Sequence, residues 1–577
     1  MRQTDRMRCA AGTLAFSALF LLAGCGGGQP APTPTPPKPP DLAAQSELFR
    51  KGVEKVADGI YVAIGFGLAN SILIEGDDGV IVVDTLEGRP QAEAVKAAFD
   101  GITSKPVKAV ILTHNHADHV FGGAVFTGGD PNVPVIAHES TASHIDRIIN
   151  VVRDDIYVRS MRMFGQLLPP VDEANSGIGM RLDYRPENIA LARPTQTFSD
   201  TLDITIAGVR FHLVHAPGET PDQIVVWLPD KKVLLPADNV YQAFPNLYTI
   251  RGTSYRDVME WVDSIDRMRD FDAEFLVPSH TRPVAGKEAV ADVLTAYRDA
   301  IQYVHDQTVR GLNQGKTPDE LVATVKLPAN LANHPWLGQY YGTVAWSVRG
   351  IYDGYLGWFN GDATTLNPSE PTERARKLAD ALALGKPISE QAKSALAAKD
   401  YQWAAELARE WTRVEPDSVE ARDTLADCFR ALGAAQSNAN ARNYYLTQAL
   451  EWRGDLEVEP NDPSSVPDSF IDELPIDGFM RGLAVRLNPE AAKDANTLVQ
   501  FSFTDIATDY TVHVRNCVAE VRKRTVANPA MKITTTAKTW KRIASKKTNP
   551  AGAYASGEIQ VDGGVANVIA FLRYFER

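Results

Sequence analysis

The residues with the clearest chemical content lie between Val107 and Gly123, in the run VKAVILTHNHADHVFGG. His114, His116, Asp118 and His119 fall within six residues, directly after a β-branched, apolar stretch (Val107, Val110, Ile111, Leu112, Thr113) that predicts a buried strand. In extended or loop backbone, side chains two apart point the same way, so His114 and His116 can converge on one ion while Asp118 and His119 turn toward a second. Imidazoles with a carboxylate suit zinc and similar borderline cations, whereas calcium and magnesium prefer oxygen alone. Single structural histidines rarely cluster this way at a strand end, so metal binding is the expectation.

Positioning such a loop takes strands. From Gly59 the segments IYVAIG and ANSILIEGDDGVIVVDT predict strands, with Gly76 to Gly79 (GDDG) as a hairpin turn. A helix over Arg89 to Phe99 and then the histidine strand complete a β-β-α-β opening. VPVIAHE (Val133 to Glu139) is a further strand, after which His138 and His144 read as surface or capping residues. Val151 to Pro194 reads as irregular and apolar, a candidate wall for a lipophilic pocket or ordinary packing. Val209 to Val214, KKVLLPADN and the stretch ending Leu276-Val277-Pro278-Ser279 predict later strands. His212 and His215 read as framework.

With 577 residues the chain exceeds one core, and several domains are expected. The net charge of -13 argues against nucleic acid and gives no basic membrane-binding surface, so an anionic substrate needs a local positive group or a metal. Met1 to Cys25 has basic residues, a short apolar run and Leu22-Ala23-Gly24-Cys25, which predicts a signal peptide. The last four residues resemble a bacterial lipobox, which implies lipidation at Cys25 and a place in the bacterial envelope, periplasm-facing; Gly26 rather than Asp after the cysteine favours the outer membrane. Residues 26–45, rich in Gly and Pro, read as a tether. Cys428 and Cys517 are too few for a disulfide framework and read as separate buried thiols.

The motif HxHxDH after a strand resembles the metallo-β-lactamase superfamily. That resemblance implies an αββα sandwich over residues 46–300 holding two Zn²⁺ ions, with other divalent metals open. It assigns His114, His116 and Glu219 to one ion, Asp118, His119 and His280 to the other, and Asp238 between them, and it makes Asp118 and Asp238 the candidate catalytic carboxylates. It also gives Asp84 the role of bracing the histidine loop. Two cations at such a site bring a water's pKa from bulk values to roughly neutral, so hydrolysis is the expected reaction.

Three features are similar to the alkylsulfatase branch: Glu219 where most of the superfamily has His; Phe244 to Gly252 (FPNLYTIRG), which implies that Asn246, Tyr248 and Arg251 bind substrate; and Tyr340 to Val344 with IYDGYLGWFNGDATTLNP, which resembles its dimerisation domain. Arg251 suits a sulfate because its planar fork donates two hydrogen bonds to an oxyanion. Two positions depart from that branch. Asp238 stands where a second Glu is usual, and Trp346 aligns with a sulfate-holding His, so either the anion is held differently or the substrate is not the usual one.

Residues 301–457 show helical period, including Lys287 to Val309 leading in, Glu373 to Leu384, and the pair Asp400 to Val414 and Ser418 to Leu432, which resembles a tetratricopeptide repeat. The resemblance implies an all-α homodimerisation domain. After the Pro- and Asp-rich break VEPNDPSSVPDS, residues 458–577 predict an α+β unit similar to sterol-carrier-protein domains, which hold lipid-like chains. The expectation is a dinuclear metal hydrolase cleaving long-chain alkyl sulfates to alcohol and sulfate. The alternatives are hydrolysis of another ester, lactone, β-lactam or phosphodiester on the same site, and a lipid-binding lipoprotein with a vestigial centre.

Overall fold

The computed structural model describes residues 42–150 and 153–575. The expected signal peptide, Cys25 and most of the expected tether lie outside them. Leu42 to Gln45, expected as the end of the tether, belong instead to a short helix, Leu42–Ser46, whose Leu42 carbonyl accepts from Asn175 Nδ2 at 2.9 Å. Leu42 is buried, and that apolar contact favours folding over extension.

Two sheets face each other. The first runs β1 (Gly52–Ala57), β2 (Ile60–Ile64), β3 (Ser71–Glu75), β4 (Val80–Val83), β5 (Val107–Ile111), β6 (Val135–His138) and β7 (Gln196–Phe198), in that order. It is antiparallel as far as β4 and parallel from β4 to β7. The second contains β8 (Thr201–Ile206), β9 (Val209–His215), β10 (Ile224–Leu228), β11 (Val233–Leu235), β12 (Phe275–Leu276) and β13 (Val284–Ala285), in the order β13-β12-β11-β10-β9-β8. Period-two alternation decides which residues meet in the middle. In β2, Ile60, Val62 and Ile64 join Phe211, Leu213, Val226 and Leu235 between the sheets, while Ala63 faces the outer layer. Helix Arg89–Asp100 covers the first sheet through Ala92, Val95 and Phe99, and helices Val258–Arg269 and Lys287–Leu312 cover the second through Trp261, Ile265, Tyr297 and Ile301. The result is the expected αββα sandwich.

Strand β1 was not apparent in the sequence. Glu54 and Lys55 interrupt its apolar pattern, as suits an edge strand that is only half-buried. The stretch expected to be irregular begins instead with helix Arg153–Met163, whose charged residues Asp154, Asp155, Arg159 and Arg162 obscure the helical period. Two of these charges locate it. Arg159 Nη2 donates to the Ile250 carbonyl at 2.9 Å, and Arg162 forms a two-pronged pair with Glu451 at 2.8 and 2.9 Å.

Helix Lys287–Leu312 continues unbroken through residue 300, so its later turns still pack on the sandwich. Beyond it, helices Tyr401–Val414, Val419–Ala434 and Ala439–Arg453 stack around Ala404, Ala408, Trp411, Leu425 and Cys428. Small alanines at the contacts let these helices approach closely. The C-terminal sheet, β14 (Asn496–Phe503), β15 (Thr508–Arg515), β16 (Val518–Arg522), β17 (Met531–Thr535) and β18 (Gln560–Asp562), has the order β16-β15-β14-β17-β18 and buries Phe501, Phe503, Tyr510, Trp540 and Phe571. Cys428 and Cys517 are both free thiols.

A buried carboxyl behind the site gives the fold a pH dependence. Glu87 is fully buried, and burial pushes its pKa from an ordinary 4.5 up to about 8, with the Asp118 charge adding to the effect against the N–H groups of Leu68 and Asp183. The folded chain keeps this proton across a window in which the unfolded chain has lost it, so stability falls as pH rises from 4.5 toward 8. A Glu87→Gln variant, whose carbonyl still accepts from both N–H groups, should lose stability less steeply over that window. Parallel melting-temperature curves for variant and wild type would exclude Glu87 as the cause.

Candidate metal centre

Six donors form two groups of three: His114, His116 and Asp238, and Asp118, His119 and His280. Within each group the ligand atoms lie within 4.8 Å of one another. Each reaches the site from a strand end: His114 and His116 just beyond β5, Asp118 and His119 on the single helical turn Ala117–Val120, Asp238 in a 3₁₀ turn after β11, and His280 after β12. Asp238 joins the groups, with Oδ2 3.1 Å from His280 Nε2, 3.5 Å from His119 Nε2 and 3.7 Å from His114 Nε2. His114 Nε2 and His116 Nδ1 approach to 2.9 Å.

Asp84 holds this loop. Its Oδ1 accepts from the Thr113 N–H at 2.9 Å; its Oδ2 accepts from Thr113 Oγ1 and Ser279 Oγ at 2.9 Å and faces His119 Nδ1 at 2.8 Å. One carboxylate therefore ties the end of β5 to the segment carrying His280 and leaves His119 Nε2 turned into the centre. The residue adopts a left-handed backbone, φ +61°, which costs on the order of 1 kcal/mol and persists because these bonds hold it.

The electrostatics sort the donors. Burial drives His114 and His116 well below the ordinary imidazole range, so they stay neutral with lone pairs available. For His119, burial acts downward but the carboxylates of Asp238, Asp118 and Asp84 outweigh it and raise the ring well above that range. His280 is raised too, by Asp238 and Asp118 against burial. Burial likewise opposes ionisation of Asp118, but His119 and His280 bring it to about 2, and the same histidines with His114 hold Asp238 well below its usual value. Anionic carboxylates against clustered imidazoles create a strong demand for positive charge.

A divalent cation pair fits these residues. His119 Nε2, Asp238 Oδ1 and Glu219 Oε2 are all buried without a hydrogen-bond partner, a costly state that coordination relieves.

Glu219 stands just outside the two groups. It is 2% exposed, and its Oε1 accepts from Arg256 Nη1 at 2.7 Å. Burial, opposed by Arg256 and assisted by the Asp238 charge, lifts its pKa to about 7. Arg256 is itself buried and also donates to the Asn246 carbonyl at 2.6 Å, so it fixes one oxygen of Glu219 and leaves the other free. Sequence reasoning missed Arg256. An arginine followed by Asp257 and preceded by Tyr255 resembles any surface residue, and only the fold buries it.

The predicted substrate contacts divide. Arg251 lines the cavity beside the donors, with Nη2 3.1 Å from His116 Nε2. Asn246 is fully buried, and neither polar atom of its side chain has a hydrogen-bond partner. Tyr248 packs beside Gly350 of helix Val344–Leu356. Trp346 sits in the first turn of that helix, its N–H received by the Thr343 hydroxyl at 3.1 Å. Of the remaining histidines, His138 and His215 stack at 4.0 Å on framework hydrogen bonds to Ser199 and Pro221 carbonyls, and His212 pairs with Asp203.

A cavity runs from this centre. His116, Asp118, Asp238, Arg251 and Tyr341 form its polar end, and Ile145, Ile156, Met161, Phe164, Leu182 and Phe470 are among its apolar walls.

Known proteins share this construction. Residues 64–280 match the metallo-beta-lactamase superfamily, 317–455 the alkyl sulfatase dimerisation family and 464–577 the alkyl sulfatase C-terminal family. A linear primary-alkylsulfatase of Pseudomonas sp. (strain ATCC 19151) is 38% identical over 519 residues, spanning 87% of this chain and 98% of that protein. An alkyl/aryl-sulfatase of Saccharomyces cerevisiae is 28% identical across 93% of this chain and 84% of its own. Among solved structures, the inverting sec-alkylsulfatase Pisa1 from Pseudomonas sp. superposes with a TM-score of 0.85 at 26% identity, over 91% of this chain and 85% of that one. From the histidine loop to the C-terminal sheet, this chain belongs to the alkylsulfatase family of the metallo-β-lactamase superfamily.

Proposed function

We infer that the protein is a metal-dependent hydrolase that cleaves alkyl sulfate esters to an alcohol and sulfate. The observation that carries this reading is one cavity lined both by Arg251 with the metal donors His116, Asp118 and Asp238 and by a set of apolar side chains, the two halves of an alkyl sulfate. Zinc is the proposed cation on the chemistry of the donors. Bound divalent cations supply Lewis acidity and a water ionised near neutral pH.

The chain's own residues do the remaining work. His114, His116, Asp118, His119, Asp238 and His280 would hold the cations, and Glu219, one of whose oxygens Arg256 restrains, would join them. Arg251 directs its guanidinium at the sulfate oxygens and offsets the negative charge that develops there. Asp118 and Asp238, as acceptors at the centre, would orient a water toward the ester, and the apolar walls would exclude bulk water from it. The relatives' dimerisation segment supports a homodimer through the helices after Leu312. Cys25 in its LAGC context supports a lipid-anchored envelope protein.

Purified protein supplied with zinc should release sulfate from dodecyl sulfate and leave nitrocefin and a phosphodiester essentially untouched. Hydrolysis of either of those with dodecyl sulfate intact would assign the site to another ester class.

A further inference from the structure

The cavity's apolar end is not built by the sandwich alone. Val466 and Phe470, beyond the helical region, lie in its wall together with Ile145, Tyr184 and Ile189. Phe470 meets Phe121 edge to face at 6.0 Å, and Phe121 lies one residue past the helical turn that carries Asp118 and His119. Val466, Phe470, Ile471 and Leu474 pack into the outer core of the first sheet, although the chain about them leads into the C-terminal domain.

Helix Asp468–Glu473 is two-faced. Its apolar side enters the sandwich, while its acidic side is clamped by helix Ala537–Ala544 and the turn after it. Arg542 reaches both Asp472 oxygens at 3.0 and 3.2 Å and Asp468 at 3.3 Å; Lys538 reaches Asp472 at 3.2 Å, and Lys547 reaches Asp468 at 2.8 Å. Lys541, buried, donates to the Leu474 carbonyl at 2.9 Å. Cations of the C-terminal domain thus fix the helix that presents Phe470 to the cavity.

We propose that Val466 and Phe470, held in place by the C-terminal domain, are the specificity-determining end wall that sets the length of alkyl tail the enzyme accepts. The assignment rests on the sulfatase reading of the same cavity. A tail extending from the sulfate passes between Ile156, Met161 and Leu182 and meets the Phe470 ring. Tails that stop short leave apolar wall unfilled, and tails that exceed the space must displace the ring. The C-terminal domain then belongs to the substrate site, beyond any separate capture of lipid.

The test is the profile of kcat/KM over linear sulfates from hexyl to hexadecyl, for the full-length metal-loaded enzyme and its variants. Phe470→Leu and Phe470→Ala should move the optimum to longer tails, changing the ratio of longest to shortest substrate by about tenfold or more. Val466→Phe should move it to shorter ones. Arg542→Gln, which leaves the wall residues intact and loosens their support, should flatten the profile with metal content unchanged. Circular dichroism and metal content matching wild type in each variant separate wall removal from misfolding. Unshifted optima in folded Phe470→Leu and Val466→Phe overturn the assignment while the sulfatase reading stands. A wild type that cuts no sulfate of any length overturns both.

Discussion

Replacing Asp238 with Asn should remove most of the activity and at least one metal ion per chain. The side chain keeps its shape but loses the charge that links the groups, where Oδ2 lies 3.1 Å from His280 and 3.7 Å from His114. His119 and His280 are both raised partly by this carboxylate, so the cluster's affinity for positive charge falls with it. Losing several kcal/mol of transition-state stabilisation corresponds to a drop of about 10³-fold or more in kcat. Metal analysis beside sulfate release checks it. A variant with wild-type metal content and turnover would show that Asp238 does not bridge the centre.

The second large effect belongs to Arg251. Its Nη2 is 3.1 Å from His116 Nε2, and burial lowers the guanidinium's own pKa, so it meets an anion in a weakly screened setting. Arg251→Ala should cut kcat/KM for alkyl sulfates by about 10²–10³-fold, the scale of removing one preorganised donor to developing oxyanion charge, with metal content intact. Arg251→Lys should recover only part, because an ammonium lacks the two-pronged fork. Unchanged turnover in Arg251→Ala would remove this residue from the anion site. Full rescue by lysine would mean that charge alone is used.

Much of the centre could be read from residue types. HxHxDH after an apolar strand carries its chemistry in short, local spacing, whereas Glu219, Asp238 and His280 were reached only through the family resemblance which that motif implies. The strands were legible as apolar runs such as IYVAIG and VIVVD, while the αββα arrangement followed from the resemblance. What stayed hidden depends on contacts between distant segments. Arg256 becomes a restraint on Glu219 only when residues 37 positions apart fold together. Tyr248 carries the chemistry of a substrate contact, and only the fold shows that it packs beside Gly350, about a hundred positions later. Phe470 looks like ordinary core of the last domain, and only the docking of its helix places it in the cavity. Helix Arg153–Met163 escaped because its charges serve long-range pairs with Ile250 and Glu451 and so mask its period.

The central claim is that these donors gather a pair of cations that make the chain a sulfatase. It is tested most directly by titrating metal-free protein with zinc while measuring sulfate released from dodecyl sulfate. Activity should be absent at the start and rise to a plateau at two ions per chain, one for each group of donors. Release by the metal-free chain, or none from the saturated one, would contradict the account.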